Sequence, residues 1–296
     1  MKMSEAIKNR YDFVILFDVE NGNPNGDPDA DNMPRIDPLT QFGLVTDVCL
    51  KRKIRDYVDT VKEGEKGYRI YIKKYVSLNK NDEEGYESVG ALKKDLKKLK
   101  NTEKDKAILD YMCSTFYDVR TFGAVMTTFS GMNSGQVRGP VQLTIAKSVE
   151  PITHMELGIS RTAQAQETAL EEKGTITFGN KYIVPYGLYR CEGFISANLA
   201  RKTTGFSEED LSLLWNAIIN MFELDHSAAR GKMAVRELIV FKHDSELGNA
   251  PAHKLFDLVR ITRKDESGMP ARAYSDYEVS VNEEALPAGV TCTRMI

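Results

Sequence analysis

Residues 11–19 read YDFVILFDV, an aromatic and β-branched run broken only by Asp12 and Asp18. A run this short and this apolar predicts a buried strand. It gives way at once to ENGNPNGDPDADNMPRIDP (20–38), where Gly, Pro, Asn and Asp set one turn after another, so a long ordered loop follows. An amphipathic helix comes next, over 46–61. Its apolar residues Leu50, Ile54, Tyr57, Val58 and Val61 recur at offsets 0, 4, 7, 8 and 11. At about 100° per residue, Lys51, Arg52 and Arg55 fall on one arc beside that stripe.

Beyond the helix the chain turns polar and lysine-rich over 62–106, with LKKDLKKLK suggesting a short surface helix. A second helical stretch is expected over 107–125, then the loop TTFSGMNSGQVRGP, then an alternating strand at 141–146. Residues 150–181 have a weak apolar pattern and read as a projecting insertion, after which a long Tyr- and Phe-rich strand covers 182–199. Ser207 and Asp210 have capping-box spacing, flanked by Phe206 and Leu211 at the staple positions. The helix they open is expected to run to Arg230 and stop at Gly231. RELIVFK (236–242) is another buried-type strand, and the tail from Pro251 alternates turns with the pieces LVRITRK and YEVSV. With both insertions left out, the order is β-α-β-β-α-β: an α+β chain in ferredoxin-like order, the order of the RNA recognition motif.

Composition narrows the class further. The 296 residues are 42% hydrophobic and 28% charged, enough for one elaborated domain with a full core. The opening MKMSEAIKNRYDF has no apolar core of a signal peptide, and no stretch of about 18 apolar residues crosses a membrane. Four scattered cysteines without a C-x-x-C pair argue against a zinc knuckle or a disulfide scaffold and fit a reducing cytoplasm. A net charge of −3 runs against a nucleic-acid binder, but phosphate responds to local potential rather than to the sum over the chain.

Four segments carry a resemblance: FDVENGNPNGDPDADNMPRIDPLTQFGLVTDVCLKRKIRDYV (17–58), DVRTFGAV (118–125), GQVRGPVQ (135–142) and DHSAARGKMAVRELIVF (225–241). Together they resemble the backbone subunit of type I CRISPR Cascade complexes, nearest to type I-C, within the repeat-associated "seven" family. The resemblance implies an RNA-recognition-motif palm, a finger and web insertion at 62–110, a thumb at 150–181 and a C-terminal extension at 251–296 packed on the palm. It further implies copies stacked in a helical filament along a CRISPR RNA, each thumb folding over the guide, whose bases pair with target DNA. The partners implied are the five-family subunit, the eight-family large and small subunits, and a recruited nuclease-helicase.

The same resemblance names the basic helix as a guide-backbone contact, so Lys51, Arg52, Arg55, Thr46 at its head and Arg35 just before it are candidates. Arg35 has an alternative as an ion-pair partner of Asp37. Gln136 and Arg138 lie in a glycine-rich loop that offers amides and side chains to phosphates and 2′-hydroxyls. Arg120 either faces the same groove or pairs with Asp118. Arg230 and Lys232 flank Gly231, while His154, Met155 and Arg161 are thumb candidates for wedging or stacking. Lys93, Lys94, Lys97 and Lys98 form a candidate non-specific contact for target DNA, against the plainer reading of a solvated surface.

Two rival functions stand beside this one. An Asp of the loop, Asp27, Asp29, Asp31 or Asp37, would serve an endoribonuclease of the kind found among related type III backbone subunits. Alternatively the chain is an RNA-free self-assembling scaffold. The loop imitates an EF-hand at Asn21, Asn23, Asn25 and Gly26 but has Asn32 where a bidentate Glu belongs, so neither metal nor cofactor is expected.

Overall fold

In the computed structural model, residues 5–88, 101–126, 136–161, 177–265 and 267–296 are described. The strands are β1 (Tyr11–Gly22), β2 (Gly26–Asp27), β3 (Met33–Pro34), β4 (Phe42–Val45), β5 (Gly123–Val125), β6 (Gln136–Arg138), β7 (Val141–Leu143), β8 (Ala146–Pro151), β9 (Met155–Arg161), β10 (Thr177–Ile195), β11 (Lys232–His243), β12 (Val259–Arg263), β13 (Tyr277–Val281) and β14 (Val290–Arg294). The helices that matter are α1 (Asp47–Val61), α2 (Leu78–Ser88), α3 (Asn101–Thr115), α4 (Tyr117–Phe122), α5 (Glu208–Asn220) and α6 (Ala252–Phe256).

One antiparallel sheet organises the chain, in the order β14-β11-β1-β10-β8-β4, with β7 and β9 also paired to β10. The strand β1 lies at its centre, and residues 11–19 are all buried. Tyr11, Phe13, Ile15, Phe17 and Val19 face the helix layer, where they meet Leu50, Ile54 and Val58 of α1 and Leu211, Leu214 and Ile218 of α5. Trp215 packs edge-on to Phe13 with ring centroids 5.1 Å apart. Val14 and Leu16 face the other way, against Leu255, Phe256, Val259, Tyr277 and Val290 from the C-terminal segment. A strand covered on both faces has no polar side to alternate with, which is why its sequence is a continuous apolar run.

The two aspartates of β1 are paired rather than solvated. His243 Nε2 lies 2.8 Å from Asp12, and Asp18 accepts from Arg236 Nε at 2.9 Å and from the Tyr186 hydroxyl at 3.1 Å. Burial nevertheless pushes the Asp18 carboxyl above the usual carboxylate range, against the pull of Arg236.

A satellite core holds Tyr71, Tyr86, Met112, Phe116, Val119 and Val137, joining α2, α3, α4 and the β5–β6 pair. Asp118 fastens it to α1, since its carboxylate accepts from Arg55 Nε at 2.8 Å, Tyr71 N at 2.7 Å and Ile72 N at 3.1 Å.

Several boundaries differ from the sequence reading. The helix expected over 107–125 is two, α3 and α4, and the chain turns into β5 at Gly123, whose φ of 82° suits only glycine. Helix α5 ends at Asn220 rather than Arg230, and the chain continues through turns at 221–224 and 228–230. Further on, the chain passes close to β1: a Cβ at Gly22 would sit 1.8 Å from the Arg230 carbonyl oxygen, and one at Gly231 would sit 2.4 Å from that of Asn21. The two backbones touch there, and the chain reaches that point as a turn. The long strand starts at Thr177 rather than 182, because β9 pairs with its first residues. The capping box is present in full, with Asp210 N donating to Ser207 Oγ and Ser207 N to the Asp210 carboxylate. No helix among the described residues is long and apolar enough to cross a membrane.

Candidate nucleic-acid interface

The loop after β1 is held by its own asparagines. Asn25 Oδ1 accepts from Thr46 N at 2.9 Å and from the Thr46 hydroxyl at 3.0 Å, and Asn23 Nδ2 donates to Asn32 O at 2.7 Å. Asn21, Asp31 and Asn32 adopt positive φ, which Asn and Asp tolerate better than most residues. Thr46 then caps α1 by accepting from Cys49 N. Its hydroxyl thus donates to Asn25 and accepts from Cys49 N, tying the loop to the head of α1.

Three loop carboxylates, those of Asp27, Asp31 and Asp37, are engaged in the same way. Arg35 donates to Asp27 at 3.1 Å, not to Asp37. Asp37 instead accepts from Leu39 N at 3.0 Å and from Thr40, and these bonds hold its carboxyl below the usual range, the Thr40 side chain contributing most. Asp31 accepts from the Tyr182 hydroxyl at 3.4 Å. Among the described residues no group of three or more His, Cys, Asp or Glu is placed to hold a metal ion.

On α1 the three expected cations part company. The Arg52 side chain is 48% exposed, with Asp56 at 3.5 Å. Lys51 is 13% exposed and reaches across to the strand layer, 3.0 Å from Asp47 and 3.4 Å from Gln142 Oε1, with its ammonium over the Phe122 ring. Arg55 is buried against Asp118. The shared flank of three cations is therefore corrected to two, because α4 covers the lower part of the arc. Arg120 is likewise turned inward. Its Nε and Nη2 form a fork on the Asp210 carboxylate at 2.9 and 2.8 Å, and it donates further to Cys113 O and Gly67 O. Neither the groove nor Asp118 receives it.

Gln136 and Arg138 stand exposed at the two ends of β6. Arg138 borders an open cavity of about 460 Å³ shared with Arg10, Gln142, Phe194 and Glu246. Gln142 thus links the Lys51 ammonium to the wall of that cavity. Arg230 Nη1 donates to Asn23 O and Pro24 O at 3.0 and 3.1 Å, so it staples the loop, while Lys232 is exposed and 3.2 Å from Glu20. Strands β9 and β10 make a two-stranded arm beyond the sheet. His154 packs edge-on to Tyr182 at its base, and Met155, Leu157 and Ile159 share one exposed face. Arg161 closes β9 opposite Thr177. Lys93, Lys94, Lys97 and Lys98 lie outside the described residues.

Lys53 escaped the sequence reading. Its ammonium is buried against Asp225 and over the Phe222 ring at 5.5 Å, and burial draws it down to about 8. The signal was present: Lys53 sits between Leu50 and Ile54, beside the apolar stripe on the side away from Lys51.

An α+β scaffold thus carries an asparagine-ordered loop, a helix α1 with Arg52 exposed, a strand β6 with exposed ends and the β9–β10 pair. A family model described as CRISPR-associated protein Cas7 matches residues 9–282. A curated relative, CRISPR-associated protein Cas7 of Haloferax volcanii, is 27% identical over 294 residues, 93% of this chain and 81% of that protein. Among solved structures, a chain of a "CRISPR RNA-guided surveillance complex, pre-nicking" aligns at TM-score 0.46 and 13% identity over 78% of this chain and 75% of its own. A chain of a second such complex aligns at TM-score 0.45 and 13% identity over 78% and 68%. The chain belongs to the CRISPR-associated protein Cas7 family.

Proposed function

We propose that this protein is the guide-binding backbone subunit of a type I-C Cascade surveillance complex, acting by position rather than by catalysis. Family membership supports the general role. The observation that carries the site is the placement of Arg52 and Lys51 on the flank of α1 beside the loop of residues 23–46 and the Gln136–Gln142 stretch. Cations and backbone amides in that arrangement fix ribose-phosphate without reading bases. The bases stay outward for pairing with target DNA, so sequence recognition belongs to the guide.

The palm is read as ferredoxin-like. Its support is the neighbour order β11-β1-β10-β7 with α1 and α5 on one face. In an RNA recognition motif the opposite sheet face is the binding platform. Here that face is covered by the C-terminal segment, which directs the guide to the helix flank and loop instead. The arm β9–β10 serves as the thumb, with Met155 as the exposed apolar side chain nearest its base. Copies stack along one guide, joined by the five-family and eight-family subunits and a recruited nuclease-helicase. Asp27 and Asp37 act as loop-fixing groups, which favours a silent loop over a nuclease.

The test replaces Lys51 and Arg52 by Ala in protein expressed with a CRISPR array. Guide retention falls, and the salt slope of RNA affinity drops by about 0.7 for each phosphate no longer neutralised. Complementary RNA offered with Mg²⁺ stays uncut. An unchanged slope in the double variant contradicts the assignment of α1.

A further inference from the structure

A second exposed surface lies at the far end of α1. From residue 66 to residue 80 the chain carries Lys66, Arg69, Lys73, Lys74 and Lys80 and no Asp or Glu. Within it, residues 72–76 form a knuckle whose Tyr75 ring stands wholly in solvent, at 102% relative exposure, with Ile72 and Val76 partly exposed on either side. Tyr75 holds φ at 62°, a left-handed conformation that costs any side-chain-bearing residue. Neither burial nor backbone preference asks for an aromatic residue there, and an observed strain of this kind points to use.

The base of the knuckle is rigid. Tyr71 N and Ile72 N donate to the buried Asp118 carboxylate, the Tyr71 hydroxyl donates to Asp82 at 2.9 Å, and Lys73 Nζ lies 2.5 Å from Asp59 on α1. Lys66, Lys74 and Lys80 are exposed and have no ion-pair partner among the described residues. Lysine is depleted at protein interfaces, so the ammonium groups around Tyr75 point to a phosphate-bearing partner. A solvent-exposed aromatic ring next to the unpaired Lys74 ammonium suits a stacked base beside a phosphate. Asp59 lies seven residues beyond Arg52, about 10 Å along α1, so this surface neighbours the guide-facing flank without sharing a residue with it.

We infer that residues 72–76 are a second contact for single-stranded nucleic acid, distinct from the guide, in which Tyr75 stacks on a base and Lys74 with its neighbours holds the adjacent phosphates. The site stands whether or not the guide assignment holds, because its residues are not shared with it.

The experiment titrates fluorescein-labelled oligodeoxyuridylate and oligouridylate into the purified protein, with and without a bound guide whose spacer holds only pyrimidines and so pairs with neither. Tyr75→Ala is expected to weaken binding by about 5- to 100-fold, and Tyr75→Phe to change it by less than about twofold. Tyr75→Gly is expected to weaken binding like the Ala variant while raising the melting temperature, because glycine accepts the positive φ. Tighter binding of one sugar series identifies the strand as DNA or RNA. Affinity unchanged in Tyr75→Ala, or a preference for duplex that ignores Tyr75, overturns the inference. Guide retention, measured in the same variants, stays at its wild-type level and keeps the two sites distinguishable.

Discussion

Replacing Arg55 by Ala separates a structural cation from the one proposed to bind the guide. Arg55 and Arg52 lie within one turn of the same helix and carry the same charge, yet Arg55 is buried in an ion pair while Arg52, the proposed guide contact, is half-exposed. Arg55 is buried with its Nε 2.8 Å from Asp118, a carboxylate only 1% exposed. Removing the guanidinium leaves that carboxylate buried without a counter-charge, which costs about 3–5 kcal/mol when one partner of a buried pair is taken away. Two backbone N–H groups, from Tyr71 and Ile72, still point at it. Such charge-assisted bonds soften the loss, so the lower end, about 3 kcal/mol, is expected. At about 2 °C per kcal/mol for a chain of this size, the melting temperature falls by about 6 °C. Below the transition the salt slope of RNA affinity stays at its wild-type value. Arg52→Ala reverses the pattern: its partner Asp56 is exposed, so stability moves by less than about 1 kcal/mol, while the slope drops by about 0.7. Thermal melts and salt-dependent RNA titrations of the two variants make the comparison. An Arg55→Ala protein that melts like wild type and loses salt dependence refutes the reasoning.

Further outcomes follow from the same interior. Arg120→Lys keeps the charge but not the planar fork on Asp210, so it is expected to destabilise by about 2–4 kcal/mol in denaturant unfolding, nearly as much as Arg120→Ala. Lys53 has its ammonium drawn from 10.5 to about 8 by burial, so the unfolded chain binds the extra proton between those values. Stability from this group therefore rises as pH climbs from about 8 to about 10, and Lys53→Met lacks that rise in unfolding curves measured at both ends of the window. Ser207→Ala removes one half of the capping box and lowers stability by about 1 kcal/mol in the same assay.

What the sequence made legible were features written within a few residues of one another. The unbroken run of β1, the apolar stripe of α1, the Ser207–Asp210 cap and the C-terminal hairpin of β12 and β13 are all set by local spacing. The fates of Arg55 and Arg120 were not, because their partners Asp118 and Asp210 lie 63 and 90 residues away and nothing local distinguishes a buried cation from a solvated one. The end of α5 was hidden as well. Its apolar pattern continues through Met221 and Phe222, which are buried, although the helix has already ended at Asn220. The roles of Asn23 and Asn25 were blurred by their own loop, where many Asn and Asp residues share the same turn-forming chemistry.

The central claim is that several copies of this chain grip one RNA strand along its backbone. Native mass spectrometry of the protein purified after expression with a CRISPR array tests it most directly. The account predicts a particle whose mass resolves into multiple copies of the chain and one bound guide. A single chain free of RNA contradicts it.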